Sequence, residues 1–420
     1  MLEADLIVVN ASEIATCTGP AGKEGLAPIR DGAIAVRGGR IVWVGPRAQL
    51  PFKVRTLDAA TCVDARGGIV GPGFVDAHTH LVFAGDRARE FSLRCAGAGY
   101  ASLLAEGGGI LATVRATRAA SEEELVRLAL ARARRLIAQG VTTVEIKSGY
   151  GLTVEDELKM LRAIRALAEE LPISVVPTLL PLHALPPEAR EDRDAWIDRM
   201  LEELVPAAAE EELARFVDAF VEEGAFTPDE ARRLAAVADE YGLGLRLHVD
   251  QLTDQGGAEL AAELGAVTAD HLEEVSEAGI RALAEAGVAV TLLPTSTLYL
   301  KCPRYAPGRA LADAGVKLAL GSNVNPGSAM SENFALALSL ACLGNGLSAE
   351  EAYYAATAGG ADALDLEDRG RIAEGYAADL VVFDAPSFEH LAYHMAVPHA
   401  RVVIAGGRVV YEAEDLPGCI

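Results

Sequence analysis

The chain of 420 residues contains no uninterrupted apolar stretch of the roughly 18 or more residues that a membrane span needs. Its opening, MLEADLIVVN, is acidic and lacks the basic segment with which a secretory signal begins. No C-x-x-C pair occurs, and the six cysteines (Cys17, Cys62, Cys95, Cys302, Cys342, Cys419) are scattered. These absences point to a reduced, cytoplasmic protein with no membrane partner. Positive charge is also short: 37 Lys and Arg stand against 61 Asp and Glu, a formal net charge of −24. Such a surface repels phosphate backbones, which excludes nucleic acid as a partner. It repels small anions too, so an anionic substrate would require local positive charge in its pocket. What is present is ordinary globular composition, 51% hydrophobic and 23% charged. The length is ample for a sizeable core and suits one large α/β domain with a smaller one.

Both ends of the chain are β-rich. DGAIAVRGGRIVWVG predicts a hairpin turning at Gly38–Gly39, and ARVVIAGGRVVYEAED predicts another at Gly406–Gly407. The two ends together predict one sheet domain. Between them strands alternate with helices. The strand candidates are 74–80, 141–148, 173–180, 216–223, 245–250, 266–272, 288–296 and 316–323. Amphipathic helices such as 121–139 and 227–242 separate most of them; the latter opens with Thr227–Pro228 and closes on Gly242. Eight strands with parallel crossovers predict an α/β fold, a (β/α)8 TIM-type barrel, with a doubly wound open sheet as the alternative.

The stretch GPGFVDAHTHLVFAGD, residues 71–86, carries H-x-H at the end of the first of these strands. Residues two apart on a strand face the same way, so His78 and His80 aim two imidazoles at one point, as a metal site requires. In a barrel, catalytic groups gather at the C-terminal ends of the strands. His248 ends strand five, His271 ends strand six, and His183 lies just past strand three, which places five of the eight histidines at one rim. The other three, His390, His394 and His399, lie outside the barrel in EHLAYHMAVPH and read as structural rather than as a metal cluster.

This arrangement resembles the amidohydrolase superfamily over nearly the whole chain. The segments GFVDAHTHLVFAGDRAREF, GGGI (107–110), EIKSGYGL, PTLLPLHALP, LHVDQLTDQGGAELAAELGAVTADHLE, NPGS (325–328) and PSFEHLAYHMAVPH are similar to those of its imidazolonepropionase family. The resemblance implies a β-sandwich of residues 1–67 with 368–420 beside a barrel of 68–367. It implies hydrolysis of 4-imidazolone-5-propanoate, a small anionic cyclic amide, to N-formimino-L-glutamate by a homodimeric enzyme. It implies one divalent ion, Zn or Fe(II), on His78, His80 and His248. FVEEG at the end of strand four offers no bridging Lys, which favours one ion over two. Such an ion lowers the pKa of bound water to ~7, giving the attacking hydroxide. His271 is placed to bind or deprotonate that water.

The resemblance also assigns Arg87 to the substrate carboxylate, which a guanidinium fork suits; by itself Arg87, between Asp86 and Arg89, reads as a surface charge. Tyr150 and His183 are implied to line the ring pocket, and Asn325, Gly327 and Ser328 to hold substrate. Alone, SGYGL and NPGS are turn sequences. The triple glycine lacks the strand–G-x-G-x-x-G–helix context of a phosphate loop and reads as a loop over the barrel mouth. Two positions depart from or vary within the pattern. Asn323 stands where the superfamily has an Asp that ligates metal and takes a proton. Gln251 stands where deaminase-like members need Glu, which argues against deamination. An aminohydrolase or carboxypeptidase-like member, and a non-catalytic or impaired variant because of Asn323, stay open at this point.

Overall fold

The computed structural model describes residues 1–22, 24–97 and 108–414. Gly107 of the GGGI stretch and Cys419 lie outside the described residues. The first sheet is built from both ends of the chain. Its strands are β1 (Leu2–Ile14), β2 (Ile29–Arg37), β3 (Arg40–Pro46), β4 (Val54–Asp64) and β5 (Ile69–Pro72). The second sheet follows as β6 (Phe74–Asp76), β7 (Val141–Lys147), β8 (Ser174–Leu182), β9 (Phe216–Val221), β10 (Gly244–Val249), β11 (Thr268–His271), β12 (Ala289–Leu292) and β13 (Leu318–Leu320). The chain then returns to the first sheet as β14 (Leu380–Phe383), β15 (Ala400–Ala405) and β16 (Arg408–Glu412).

The first sheet is mixed and ordered β16-β15-β14-β5-β1-β2-β3, with β4 parallel to β1. Both predicted hairpins are present. Gly38 and Gly39 have φ of +57° and +80°, and Gly406 and Gly407 have +52° and +74°, the left-handed pairs that a type I′ turn requires. The two turns also abut. A Cβ on Gly39 would lie 2.8 Å from the carbonyl oxygen of Gly406, so this junction of the two chain ends leaves no room for a side chain.

The second sheet runs in strict sequence order with parallel pairing throughout. Its two ends meet through backbone hydrogen bonds. Ala77 N donates to Leu320 O (3.3 Å), Asn323 N to His78 O (2.9 Å) and His80 N to Val324 O (3.0 Å). The barrel therefore closes, and the open doubly wound alternative falls away. Helices cover it with their apolar faces. Glu122–Ile137, capped by Ser121, buries Leu125, Val126, Ala129, Ala133 and Leu136. Pro228–Glu240 carries a capping box between Thr227 and Glu230. Several predicted strands are shorter than expected: β6 ends at Asp76 rather than at residue 80, so His78 and His80 lie just beyond it, and β13 spans only Leu318–Leu320 of 316–323. β12 stops at Leu292 because Pro294 opens a helix, Pro294–Leu300, where proline's missing N–H costs nothing. Among the described residues no helix is long and apolar enough to cross a membrane.

Candidate active site

The alternation of β6 sends Asp76, and beyond it His78 and His80, into the barrel; β10 sends Arg246 and His248 inward from the opposite wall. All five are buried. The ring nitrogens of His78, His80 and His248 lie within 4.8 Å of one another. Nδ1 of His78 faces Asp270 Oδ2 at 2.7 Å, and Nδ1 of His248 faces Asp218 Oδ1 at 3.0 Å. A carboxylate on Nδ1 holds the proton there and leaves the lone pair on Nε2. Nε2 of His78 sits 3.3 Å from Nε2 of His80, and Nε2 of His248 is buried with no hydrogen-bond partner among the described residues. Burial, with neighbouring Lys147 and other histidines, pushes the pKa of His78 and His80 well below the ordinary histidine value; burial also lowers His248, against the pull of Asp218. Three neutral imidazoles with convergent lone pairs, two backed by carboxylates, are a donor set that fits one borderline divalent cation.

Beneath the histidines lies a buried charge layer that sequence reading did not single out. Lys147 Nζ pairs with Glu145 Oε1 and Asp218 Oδ2, both at 2.8 Å, and Arg246 Nη2 pairs with Asp270 Oδ2 at 3.0 Å. All five of these charged side chains are fully buried. Burial raises the pKa of Asp218 and Asp270, but the attached cations and histidines outweigh it and hold both carboxyls below the ordinary range. Asp76, which accepts from Ser322 N at 2.8 Å, pairs with no cation among the described residues, and burial pushes its pKa up to about 7. The available signal was the period of two: Glu145 with Lys147, and Arg246 with His248, share a strand face.

His271 ends β11 with φ of +85°, and its ring centroid lies 5.5 Å from that of His248 and 5.9 Å from that of His78. Its Nδ1 faces Glu273 Oε2 at 3.4 Å, and Thr297 Oγ1 donates to Glu273 Oε1 at 2.8 Å. Asn323 is buried beyond β13 with φ of +55°, a left-handed conformation that Asn tolerates. Its Oδ1 accepts from Asn325 Nδ2 at 3.1 Å. Gln251 is half-buried in the loop after β10. That loop is tied down by Glu222, whose carboxylate accepts from Leu252 N at 2.8 Å.

The pocket walls assemble beside the histidines. His183 stacks on His80 with centroids 5.2 Å apart, and Tyr150 lies 5.3 Å from His183. Nδ1 of His183 faces Gly149 O at 2.8 Å, so its proton sits there. Burial and the nearby His248 lower its pKa to about 4, which keeps the ring neutral. The Glu157 carboxylate accepts from Gly149 N, Gly151 N and Leu152 N, each at 2.7 Å, and so fixes the turn that carries Tyr150. Arg87 precedes the helix Ala88–Cys95 and is not a surface charge, because its side chain is only 14% exposed. Glu90 receives its guanidinium, with Nε to Oε2 at 2.9 Å. A Cβ on Gly327 would lie 2.0 Å from Arg87 Nη1, so glycine is what lets the guanidinium reach the 325–328 loop. Within that loop Asn325 is fully engaged. Its Oδ1 accepts from Gly327 N and Ser328 N at 2.8 Å, and its Nδ2 donates to Asn323 O at 2.8 Å and Ser328 Oγ at 2.7 Å. Its contacts shape the loop that meets Arg87.

A model of the Amidohydrolase family matches residues 96–411, and one of the imidazolonepropionase-like composite domain of bacteria matches residues 32–51. The imidazolonepropionase of Myxococcus xanthus is 56% identical over 418 residues, 99% of each chain. That of Symbiobacterium thermophilum is 47% identical over 98% of each chain. Among solved structures, 5-methylcytosine deaminase from Klebsiella pneumoniae superposes with a TM-score of 0.74 at 19% identity, covering 98% of this chain and 99% of that one. A zinc-bound adenosine deaminase from Xanthomonas campestris gives a TM-score of 0.72 at 22% identity, covering 98% of this chain and 94% of that one. The solved structures share the barrel and its flanking sheet, and the sequence relatives narrow the assignment: the chain belongs to the amidohydrolase family and, within it, to the imidazolonepropionases.

Proposed function

We propose that this hydrolase opens the ring amide of 4-imidazolone-5-propanoate to give N-formimino-L-glutamate, a step of histidine degradation. The observation that carries the reading is a histidine triad, backed by carboxylates at His78 and His248, together with a half-buried Arg87 whose guanidinium meets Gly327 in the loop that follows Asn323. His78, His80 and His248 are the residues that would hold one divalent ion, Zn or Fe(II), with the Asn323 oxygen as a weak neutral neighbour. Such an ion, when bound, polarises a carbonyl and brings the pKa of water near 7.

The chain's own groups supply the rest. Asp270 and Asp218 fix the ring orientation of His78 and His248. His271, oriented at Nδ1 by Glu273, accepts the proton of the attacking water and returns one to the leaving ring nitrogen. Asn323 cannot take that proton, which leaves the transfer to His271. Arg87 exchanges Glu90 for the propanoate carboxylate, a bidentate match for its fork. Tyr150 and His183 flank the ring, Gln251 offers its amide to the ring edge, and Asn325 shapes a turn in which Gly327 leaves room for Arg87 and the Ser328 hydroxyl, whose oxygen accepts from Asn325 Nδ2, turns its proton to the tail.

The sheet of residues 1–67 and 368–420 is a scaffold unit beside a catalytic unit of 68–367, with β5 continuing the scaffold sheet. The enzyme works as a cytoplasmic homodimer on a small anionic substrate, with neither nucleic acid nor membrane as partner. Exposed Leu343, Tyr393 and Met395, on and beside two helices that pack together, support an apolar contact between protomers. Loss of imidazolone absorbance, followed with metal content in the same preparation, tests the reaction. Metal-replete protein that leaves imidazolone propanoate intact overturns it.

A further inference from the structure

We propose that His390, His394 and His399 form a second divalent-metal site, structural in role and remote from the barrel mouth. Their ring centroids are 5.0 to 5.6 Å apart and their ligand nitrogens all lie within 4.8 Å of one another. The fold prepares the cluster. His390 lies in the helix Phe388–Tyr393 and His394 caps its end, so the two stand one turn apart on the same face. The chain then turns back at Ala396, with φ of +63°, and Val397 N bonds His394 O at 3.3 Å. Asn333 Nδ2 pins this turn to the barrel through Ala396 O at 2.9 Å. His399 arrives just before β15 and is held twice by Asp384. Asp384 N donates to His399 O at 2.9 Å, and His399 Nδ1 faces Asp384 O at 3.1 Å.

That second contact decides the chemistry. A carbonyl oxygen only accepts, so the proton of His399 sits on Nδ1 and the lone pair on Nε2. Nε2 of His399 and Nδ1 of His394 are both buried with no hydrogen-bond partner among the described residues. Two unpartnered buried ring nitrogens facing a third histidine are what a cation would satisfy. Tetrahedral coordination needs nitrogens about 2.0–2.1 Å from the ion, and the broad χ2 of histidine allows the rings to close onto it. Three imidazoles and no carboxylate select a borderline ion such as Zn²⁺ over Mg²⁺ or Ca²⁺. Held there, the ion would fasten the C-terminal helix to the edge of β15.

Stripping the full chain of metal and titrating it with Co²⁺, read by visible d–d absorbance, tests this. Wild type should take up two equivalents. His394→Gln and His399→Gln should each take up one, with turnover after zinc reloading unchanged from wild type. His248→Gln should also take up one, without turnover, and His248→Gln/His394→Gln none. Uptake of a single equivalent by wild type, or of two by either C-terminal variant, overturns the proposal. The two C-terminal variants are independent, so one that fails to fold leaves the other to decide.

Discussion

Asp270→Asn tests the charge layer that supports the histidine triad. Asp270 Oδ2 faces His78 Nδ1 at 2.7 Å and Arg246 Nη2 at 3.0 Å, with Lys147 Nζ at 3.8 Å, and all of these side chains are fully buried. Asparagine keeps the shape, and its carbonyl at the Oδ2 position can still accept from both His78 and Arg246, but it carries no charge to set against Arg246 and Lys147, and its NH2 takes the Oδ1 position, which has no hydrogen-bond partner among the described residues. Breaking a buried charge pair by removing one partner costs about 3–5 kcal/mol. The hydrogen bonds that the carbonyl retains put the expected loss near the lower end, about 3 kcal/mol, for the metal-free chain. The second effect is on the ion. A carboxylate behind a ligating histidine is worth roughly 10–100-fold in metal affinity. The assays are chemical denaturation of the apo protein and chelator competition for the ion. Asp229→Asn is the control: that side chain is 91% exposed in its pair with Arg232, and its change should stay within about 0.5 kcal/mol. An Asp270→Asn protein as stable as this control, holding metal as tightly as wild type, would refute the assigned role of the layer.

Arg87→Ala should retain metal and raise KM, with a loss of roughly 2–5 kcal/mol expected for an unpaired, desolvated charge partner, and Arg87→Lys should recover only part of it; a normal kcat/KM in the Ala variant removes Arg87 from substrate binding. Asn323→Asp should raise kcat by about 10²-fold or more, within the range of a positioned acid or base, and tighten metal binding; no gain in kcat would place the whole proton route on His271 or the substrate. His78→Ala should lose the barrel ion while Co²⁺ uptake at the C-terminal histidines persists, as metal analysis will show. Glu157→Gln should leave at least one of three backbone N–H groups facing an amide NH2 or nothing, costing about 1–3 kcal/mol and raising KM through Tyr150.

Much of this architecture is legible in local sequence because local rules govern it. Glycine pairs at 38–39 and 406–407 mark type I′ turns because few other residues accept two consecutive positive φ values. The strand period of two predicts that H-x-H converges, and the two rings do meet, although β6 ends at Asp76 and it is the backbone bonds of His78 O and His80 N to residues 323 and 324 that hold the segment. Other features depend on pairings across long sequence separations. Nothing near Glu145 or Lys147 says that Asp218 lies opposite, so five charges inside the barrel are invisible until the strands are in register. Asn325 looks available in NPGS, yet its side chain is closed into the loop's own hydrogen bonds. The C-terminal histidines read as structural because they lie outside the barrel, and the turn at Ala396 that brings His399 beside His390 and His394 cannot be inferred from EHLAYHMAVPH.

The return of the chain to its first sheet sets an order of assembly. β5 is fully buried, with β1 on one side and β14 on the other. During synthesis β5 leaves the ribosome some three hundred residues before β14, from Pro72 to Leu380. At about 5–20 residues per second that interval is roughly 15–60 s. Throughout it, a strand edge of Ile69 and Val70 waits with its backbone groups unpaired while the entire barrel is made. An unprotected apolar edge is an invitation to intermolecular strand pairing. The nascent chain is therefore most exposed to aggregation before β14 to β16 emerge, and truncations that spare every residue of the catalytic mouth should still yield insoluble protein if they remove β14 to β16.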